Sequence, residues 1–203
     1  MRKRLTAALA LGFGALLITP ASAAVLGWRV VHLHDEFTDE HVCRVEPGGI
    51  LSRSIVRGLS GAFRTLHFIV ENRDGEIRAG FLSEPMLPIG GDIQLRVDDN
   101  PMVTLAPADT PIDAGPEMPI GIVPNIPPEA RAQLERSLRA ARGMQSPYRL
   151  VVGERARTLL LQIVDGEDVR WRVITVNAAV SRTGRIRVEG LIEALSECGI
   201  VLR

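Results

Sequence analysis

Apolar and polar positions alternate most cleanly over residues 92–98, where Ile93, Leu95 and Val97 take one face and Gln94, Arg96 and Asp98 the other. That period of two predicts a strand with one buried face. The same reading recurs along the first half. Residues 25–34 set Trp28, Val30, His32 and His34 against Arg29, Val31 and Leu33, and a second short strand is expected around Cys43. Residues 63–71 and 76–82 flank Asn72-Arg73-Asp74-Gly75, turn chemistry that predicts a hairpin. Asp99-Asn100-Pro101 turns the chain, so residues 102–105 are expected to pair back. In the second half, strands are expected at 148–152 and 185–189. A further hairpin is expected from 157–164 and 169–176 about Asp165-Gly166-Glu167-Asp168, its Arg157-Thr158-Leu159 echoing Arg64-Thr65-Leu66.

Two segments read as helices. Pro127 and Pro128 stand where a helix tolerates proline, and Ala130, Leu134, Leu138 and Ala141 then form a narrow apolar stripe ended by Gly143. In residues 190–198, Leu191, Leu195 and Cys198 share a helical face, and Gly199 stops it. Between them and the first strands, residues 101–128 hold eight prolines in 28 positions. Proline supplies no ladder donor, so this stretch is expected to be an extended insertion and the first site of limited proteolysis. The predicted fold is mainly β: an antiparallel β-sandwich with one inserted helix and a short C-terminal helix.

The N-terminus has a different texture. Arg2, Lys3 and Arg4 precede a short apolar run from Leu5 to Ile18, then Pro20 and the small residues Ala21-Ser22-Ala23. These three zones predict a secretory signal peptide at residues 1–23, cut before Ala24. A membrane anchor is the rival, but a spanning helix needs roughly 20 apolar residues, so no stable span is expected after cleavage. The expected location is periplasmic or secreted. The remaining 180 residues, 24–203, form one domain.

Composition narrows the chemistry. Lys3 is the sole lysine, so the exported part has none, which excludes Schiff-base and phosphate-loop lysines. Its 21 arginines against 24 acidic residues give no basic surplus, and no nucleic-acid partner is expected. The two cysteines, Cys43 and Cys198, predict one disulfide in an oxidising compartment. The densest polar cluster is His32, His34, Asp35 and His41, in which His32 and His34 share a strand face. These four are the candidate metal ligands, set against the plainer reading of a solvated strand end. Ser60 lies in Gly58-Leu59-Ser60-Gly61, outside the Gly-x-Ser-x-Gly pattern. His67 falls in a strand. Asp98-Asp99-Asn100 reads as a side-chain-capped turn more readily than as a cation site. In Arg170-Trp171-Arg172 the tryptophan is expected in the core and the arginines at the surface.

Three segments carry a resemblance: Asp35-Glu36-Phe37-Thr38-Asp39, the strand ending Leu95-Arg96-Val97-Asp98-Asp99-Asn100-Pro101, and Gly190-Leu191-Ile192-Glu193-Ala194-Leu195-Ser196-Glu197-Cys198. Their order resembles exported β-sandwich proteins of proteobacteria, including accessory proteins of type VI secretion. Gly27-Trp28-Arg29-Val30 and the closing Gly-Leu-x-x-Ala-Leu resemble the invasion-associated locus B group, with Cys43 later than that group's cysteine. The resemblance implies a β-sandwich and an envelope-associated accessory role, and it transfers no catalytic residue. The expected function is therefore a non-enzymatic envelope or periplasmic protein, without a cofactor, that binds another envelope protein or supports an assembly. The alternative is a periplasmic metal or small-ligand binder using the early histidines.

Overall fold

A computed structural model describes residues 27–48, 65–111, 127–175 and 182–202. The expected signal peptide at residues 1–23, Ser60 and most of the proline-rich insertion lie outside these residues. Asp35 and Glu40 bound a turn between strands β1 (Trp28–Asp35) and β2 (Glu40–Pro47), which pair antiparallel from Trp28↔Pro47 to Asp35↔Glu40. The expected Asp74-Gly75 turn joins β3 (Thr65–Arg73) to β4 (Glu76–Glu84). Asp74 and Gly75 both have positive φ, at 48° and 91°, as such turns require. Strand β7 (Tyr148–Val152) adds to β4, giving a five-stranded antiparallel sheet in the order β1-β2-β3-β4-β7.

The second sheet has four antiparallel strands ordered β6-β5-β8-β9, from β5 (Gly91–Val97), β6 (Val103–Leu105), β8 (Val169–Thr175) and β9 (Thr183–Ile186). The sequence alternation survives intact: Ile93, Leu95 and Val97 are buried, as are Val169, Trp171 and Val173 opposite them. These residues meet Trp28, Val45, Leu66, Phe68, Val70, Ala79 and Phe81 of the first sheet in one core. A chain of aromatic edges crosses that core. Trp28 lies 6.4 Å from Phe68, Phe68 5.5 Å from Phe81, and Phe81 5.2 Å from Trp171 between ring centroids. The molecule is thus mainly β, a sandwich of two antiparallel sheets.

Four expectations need correction. Residues 157–164 are not a strand: helix α2 (Gly153–Asp165) runs through them, so the second hairpin and its echo of the first disappear. Ala156, Leu159, Leu160 and Ile163 are its buried residues, and their spacing of three, one and three is the helical stripe. The described helices therefore number three rather than two, with α1 (Pro128–Gln145) and α3 (Leu191–Glu197). The proline-rich insertion is not extended from its start, where residues 102–105 pair back as expected. β6 pairs with β5 through Ile93↔Leu105 to Leu95↔Val103, and a 3-10 turn follows at Pro107–Asp109. Asp109 ion-pairs with Arg155 of α2 at 2.6 Å, and Gly143 closes onto Pro107. A Cβ on Gly143 would stand 1.9 Å from the Pro107 carbonyl oxygen, so only glycine lets α1 end there. Finally, the α1 stripe does not enter the core. Ala130, Leu134 and Ala141 are exposed and Leu138 is half-buried; Gly143 is the one buried residue of this helix.

Candidate functional site

The expected disulfide is present. Cys43 on β2 and Cys198 at the end of α3 are bonded, with Cα atoms 5.5 Å apart and 155 positions between them in sequence. Cys198 is buried beside Leu191 and Leu195, as their shared helical face implied. The Asn72 side-chain amide donates to the Cys198 carbonyl at 2.9 Å, so the bridge is held from the β3 side as well.

The histidine cluster forms a shallow groove of about 290 Å³ lined by His32, His34, His41, Cys43, Asn72 and Asp74, among others. All three histidines are exposed. His34 and His41 face each other across the hairpin, their rings stacked 4.3 Å apart and only 14° from parallel. Lone pairs in two parallel rings run side by side, so one ring must rotate before both nitrogens reach one ion. Asp35 is turned away: its carboxylate accepts the Phe37 N–H at 2.9 Å. That bond, with Thr38 and His34 nearby, holds the Asp35 carboxyl below its ordinary range. Among the described residues, no group of three or more histidine, cysteine or acidic side chains converges as a metal site. His67 is buried on the outer face of the five-stranded sheet, with Nε2 3.2 Å from Glu84.

Two other hollows differ in how their charges are used. On the outer face of the five-stranded sheet, a cleft of about 210 Å³ is lined by Glu40, Arg44, Glu71, Arg73, Arg78 and Tyr148, among others. Its cations are paired within the sheet: Arg44 with Glu71 at 2.7 Å, Arg73 with Glu40 at 2.9 Å, and Arg78 with Glu76 at 2.6 Å. Burial disfavours the Arg44 charge, but Glu71 and Tyr148 more than offset it and raise its pKa. Such a network holds its own strands together.

The outer face of the four-stranded sheet is different. Register sets Arg96 opposite Arg170, and Arg170 opposite Arg185, so three guanidinium groups share one cross-strand row. Arg172 stands in the next row, opposite Gln94 and Thr183. Like charges directly opposite each other disfavour the sheet, and two carboxylates relieve this in part. Asp168 lies 3.0 Å from Arg170 and 3.6 Å from Arg185, and Asp99 lies 3.4 Å from Arg96. Gln94 accepts from Arg172 at 2.7 Å. Four cations thus face two anions around a groove of about 460 Å³. Leu95, Trp171 and Gly184 line it from their backbone side, since the Leu95 and Trp171 side chains are buried in the core, and Met102, half exposed, forms one wall. Gly184 is required there, because a Cβ would meet the Trp171 indole at 2.5 Å. The Trp171 ring therefore packs against bare backbone on the core side, while the outer groove is cationic, with Met102 as its exposed apolar side chain.

Sequence reading anticipated part of this site. Trp171 is buried and Arg170 and Arg172 are exposed, as their alternation predicted. Arg96 and Arg185 were not expected to join them, because they reach the row only through strand order. Asp98 takes the capping role: its carboxylate accepts the Asp168 N–H at 2.7 Å and the Glu167 N–H at 3.2 Å. Sequence reading missed Arg149 altogether. It is fully buried on the inner side of β7, opposite Phe81, and bonds four backbone carbonyls. Compared with known proteins, the chain matches no family model, no curated protein and no solved structure.

Proposed function

We propose that this protein is an exported, non-enzymatic binding protein that docks an acidic protein segment in the arginine-rimmed groove of its four-stranded sheet. The observation that carries this reading is the row Arg96, Arg170 and Arg185, with Arg172 beside it and Met102 at one wall. Arginine forks pair with carboxylates in fixed geometry and tolerate partial desolvation, and arginine is among the residues that most often dominate protein interfaces. Export is supported by the three-zone N-terminus and by a disulfide, which persists in oxidising compartments. Among the described residues, no helix is long and apolar enough to cross a membrane.

The test is capture from the envelope fraction of the native host by the mature, oxidised protein and by its Arg170→Glu/Arg185→Glu variant. The wild type should retain a partner at low ionic strength, and the variant should lose it. Equal capture by both would overturn the groove as the binding face. The second reading, a metal or small-ligand binder, rests on His32, His34 and His41 lining one groove. Recovery of no partner together with stoichiometric bound metal, lost in His34→Ala, would favour it.

A further inference from the structure

We infer that the segment docked in this groove is the β1–β2 hairpin tip of a second copy of this chain, so that the protein self-associates. The inference rests on the groove being the binding face. The tip is Asp35-Glu36-Phe37-Thr38-Asp39-Glu40. Phe37 is 100% exposed, the most exposed of the molecule's described large hydrophobic residues. A fully solvated phenylalanine gains nothing where it stands and would bury its whole ring in a partner's groove.

The tip is built rather than loose. Residues 36–39 form the turn, the Asp35 carboxylate caps the Phe37 N–H, and Asp39 takes a left-handed φ of 55°. Arg73 anchors the tip's far side through Glu40 at 2.9 Å. The ring is thus offered on a set backbone, which lowers the entropy lost on docking.

The chemistry of tip and groove is reciprocal. Phe37 can lie against Met102, which is half exposed at the groove wall, and against the stems and guanidinium planes of the lining arginines. Glu36 and Asp39, both exposed, flank it, and Arg96, Arg170, Arg172 and Arg185 line the groove. The cation surplus of the groove is two charges, and these two carboxylates would balance it. Full exposure of Phe37 also shows that the tip is not seated in the groove of its own molecule, so a tip that fills a groove is a second copy's. If each copy fills the other's groove the assembly closes as a dimer; if not, it extends head to tail. Either form presents a tip to a groove.

Sedimentation of the full mature protein, disulfide intact, over a concentration series tests this. The wild type should show a mass that grows with concentration at about 0.05 M salt and falls towards monomer at about 0.5 M, as screening shortens the reach of the charges. Phe37→Ala should weaken association at least about tenfold, the scale of losing a central aromatic anchor. Because the Phe37 ring is fully exposed, this variant keeps its fold. Glu36→Arg/Asp39→Arg and Arg170→Glu/Arg185→Glu should each be monomeric alone and associate when mixed. Should the second of these misfold by near-ultraviolet circular dichroism, Arg170→Gln/Arg185→Gln replaces it; it should be monomeric alone and associate with the tip variant through the one intact tip–groove pair. A wild type that stays monomeric at about 1 mM and low salt, far above the dissociation constants of specific pairs, overturns the inference. So does an oligomer that Phe37→Ala leaves unchanged. If the wild type is monomeric but the groove variant still loses a captured envelope partner, self-association alone falls and the groove remains a binding face.

Discussion

At the scale of single residues, Arg149 and Asp98 show how polar groups can organise a β-rich core. Arg149 donates to the carbonyls of Gly91 at 2.8 Å, Gly143 at 2.5 Å and Tyr148 at 2.8 Å, and to that of Ile89. Burial pushes its guanidinium down to about 10, with Asp92 opposing, so it remains a cation at neutral pH. One side chain thus gathers the end of α1, the start of β7 and the run into β5. The Gly143 carbonyl belongs to the last turn of α1, where the helix dipole favours positive charge. Arg149→Met should cost roughly 3–5 kcal/mol, because it strands buried carbonyls as well as removing the charge; urea unfolding of wild type and variant measures this. Asp98 makes a sharper pair of predictions. It has a φ of 48° and accepts the Glu167 and Asp168 N–H bonds. Asparagine keeps an acceptor and tolerates that backbone, so Asp98→Asn should change stability little. Asp98→Ala loses both and should cost about 1–2 kcal/mol. Neither residue could be assigned its role from sequence. Arg149 sits at an inward position between Tyr148 and Leu150, where alternation calls for an apolar residue, and no local pattern marks the exception.

At the scale of elements, the strands were legible and α2 was not, for a physical reason. Strands β5 and β8 each carry a period-two pattern that one buried face imposes, and their residues fall where that pattern put them. The stretch Arg157-Thr158-Leu159-Leu160-Leu161-Gln162-Ile163-Val164 fits both periods: Leu159, Leu161 and Ile163 alternate, while Ala156, Leu159, Leu160 and Ile163 make a helical stripe. Short apolar runs do not separate the two by themselves. Burial does, since Leu160 is fully buried and Leu161 is 38% exposed. A strand would bury Leu161 with its neighbours two positions away. Leu160→Ala should therefore cost about 2–5 kcal/mol, while Leu161→Ala stays within roughly 0.5 kcal/mol. Thermal or chemical unfolding of the two variants tells the elements apart without a new structure. The groove was only half legible for a related reason. Arg170 and Arg172 are neighbours in sequence, but Arg96 and Arg185 join them through the order β5-β8-β9, which no single strand's pattern contains. The exposed stripe of α1 shows the converse: apolar spacing predicts a helix correctly without saying that its face is buried.

At the scale of the whole molecule, the long-range ties converge on the C-terminal end. Besides the Cys43–Cys198 bond, Trp28 Nε1 donates to the Arg187 carbonyl at 3.1 Å and Arg157 to the Val201 carbonyl at 2.6 Å. The first strand and α2 therefore both depend on where the last residues sit. Cys43→Ser or Cys198→Ser should lower stability by about 2–5 kcal/mol, with loss of protection of the α3 amides in hydrogen exchange as the local sign. Thiol titration of the unfolded, unreduced protein should find no free cysteine. The bond has a further, topological result. It turns everything between positions 43 and 198 into a covalent ring, from which two short ends emerge. A protease that cuts this ring once opens it without dividing the molecule. The nicked protein should run as one species without reductant and as two fragments with it. A chain closed in this way keeps both of its sheets tethered after a first cut.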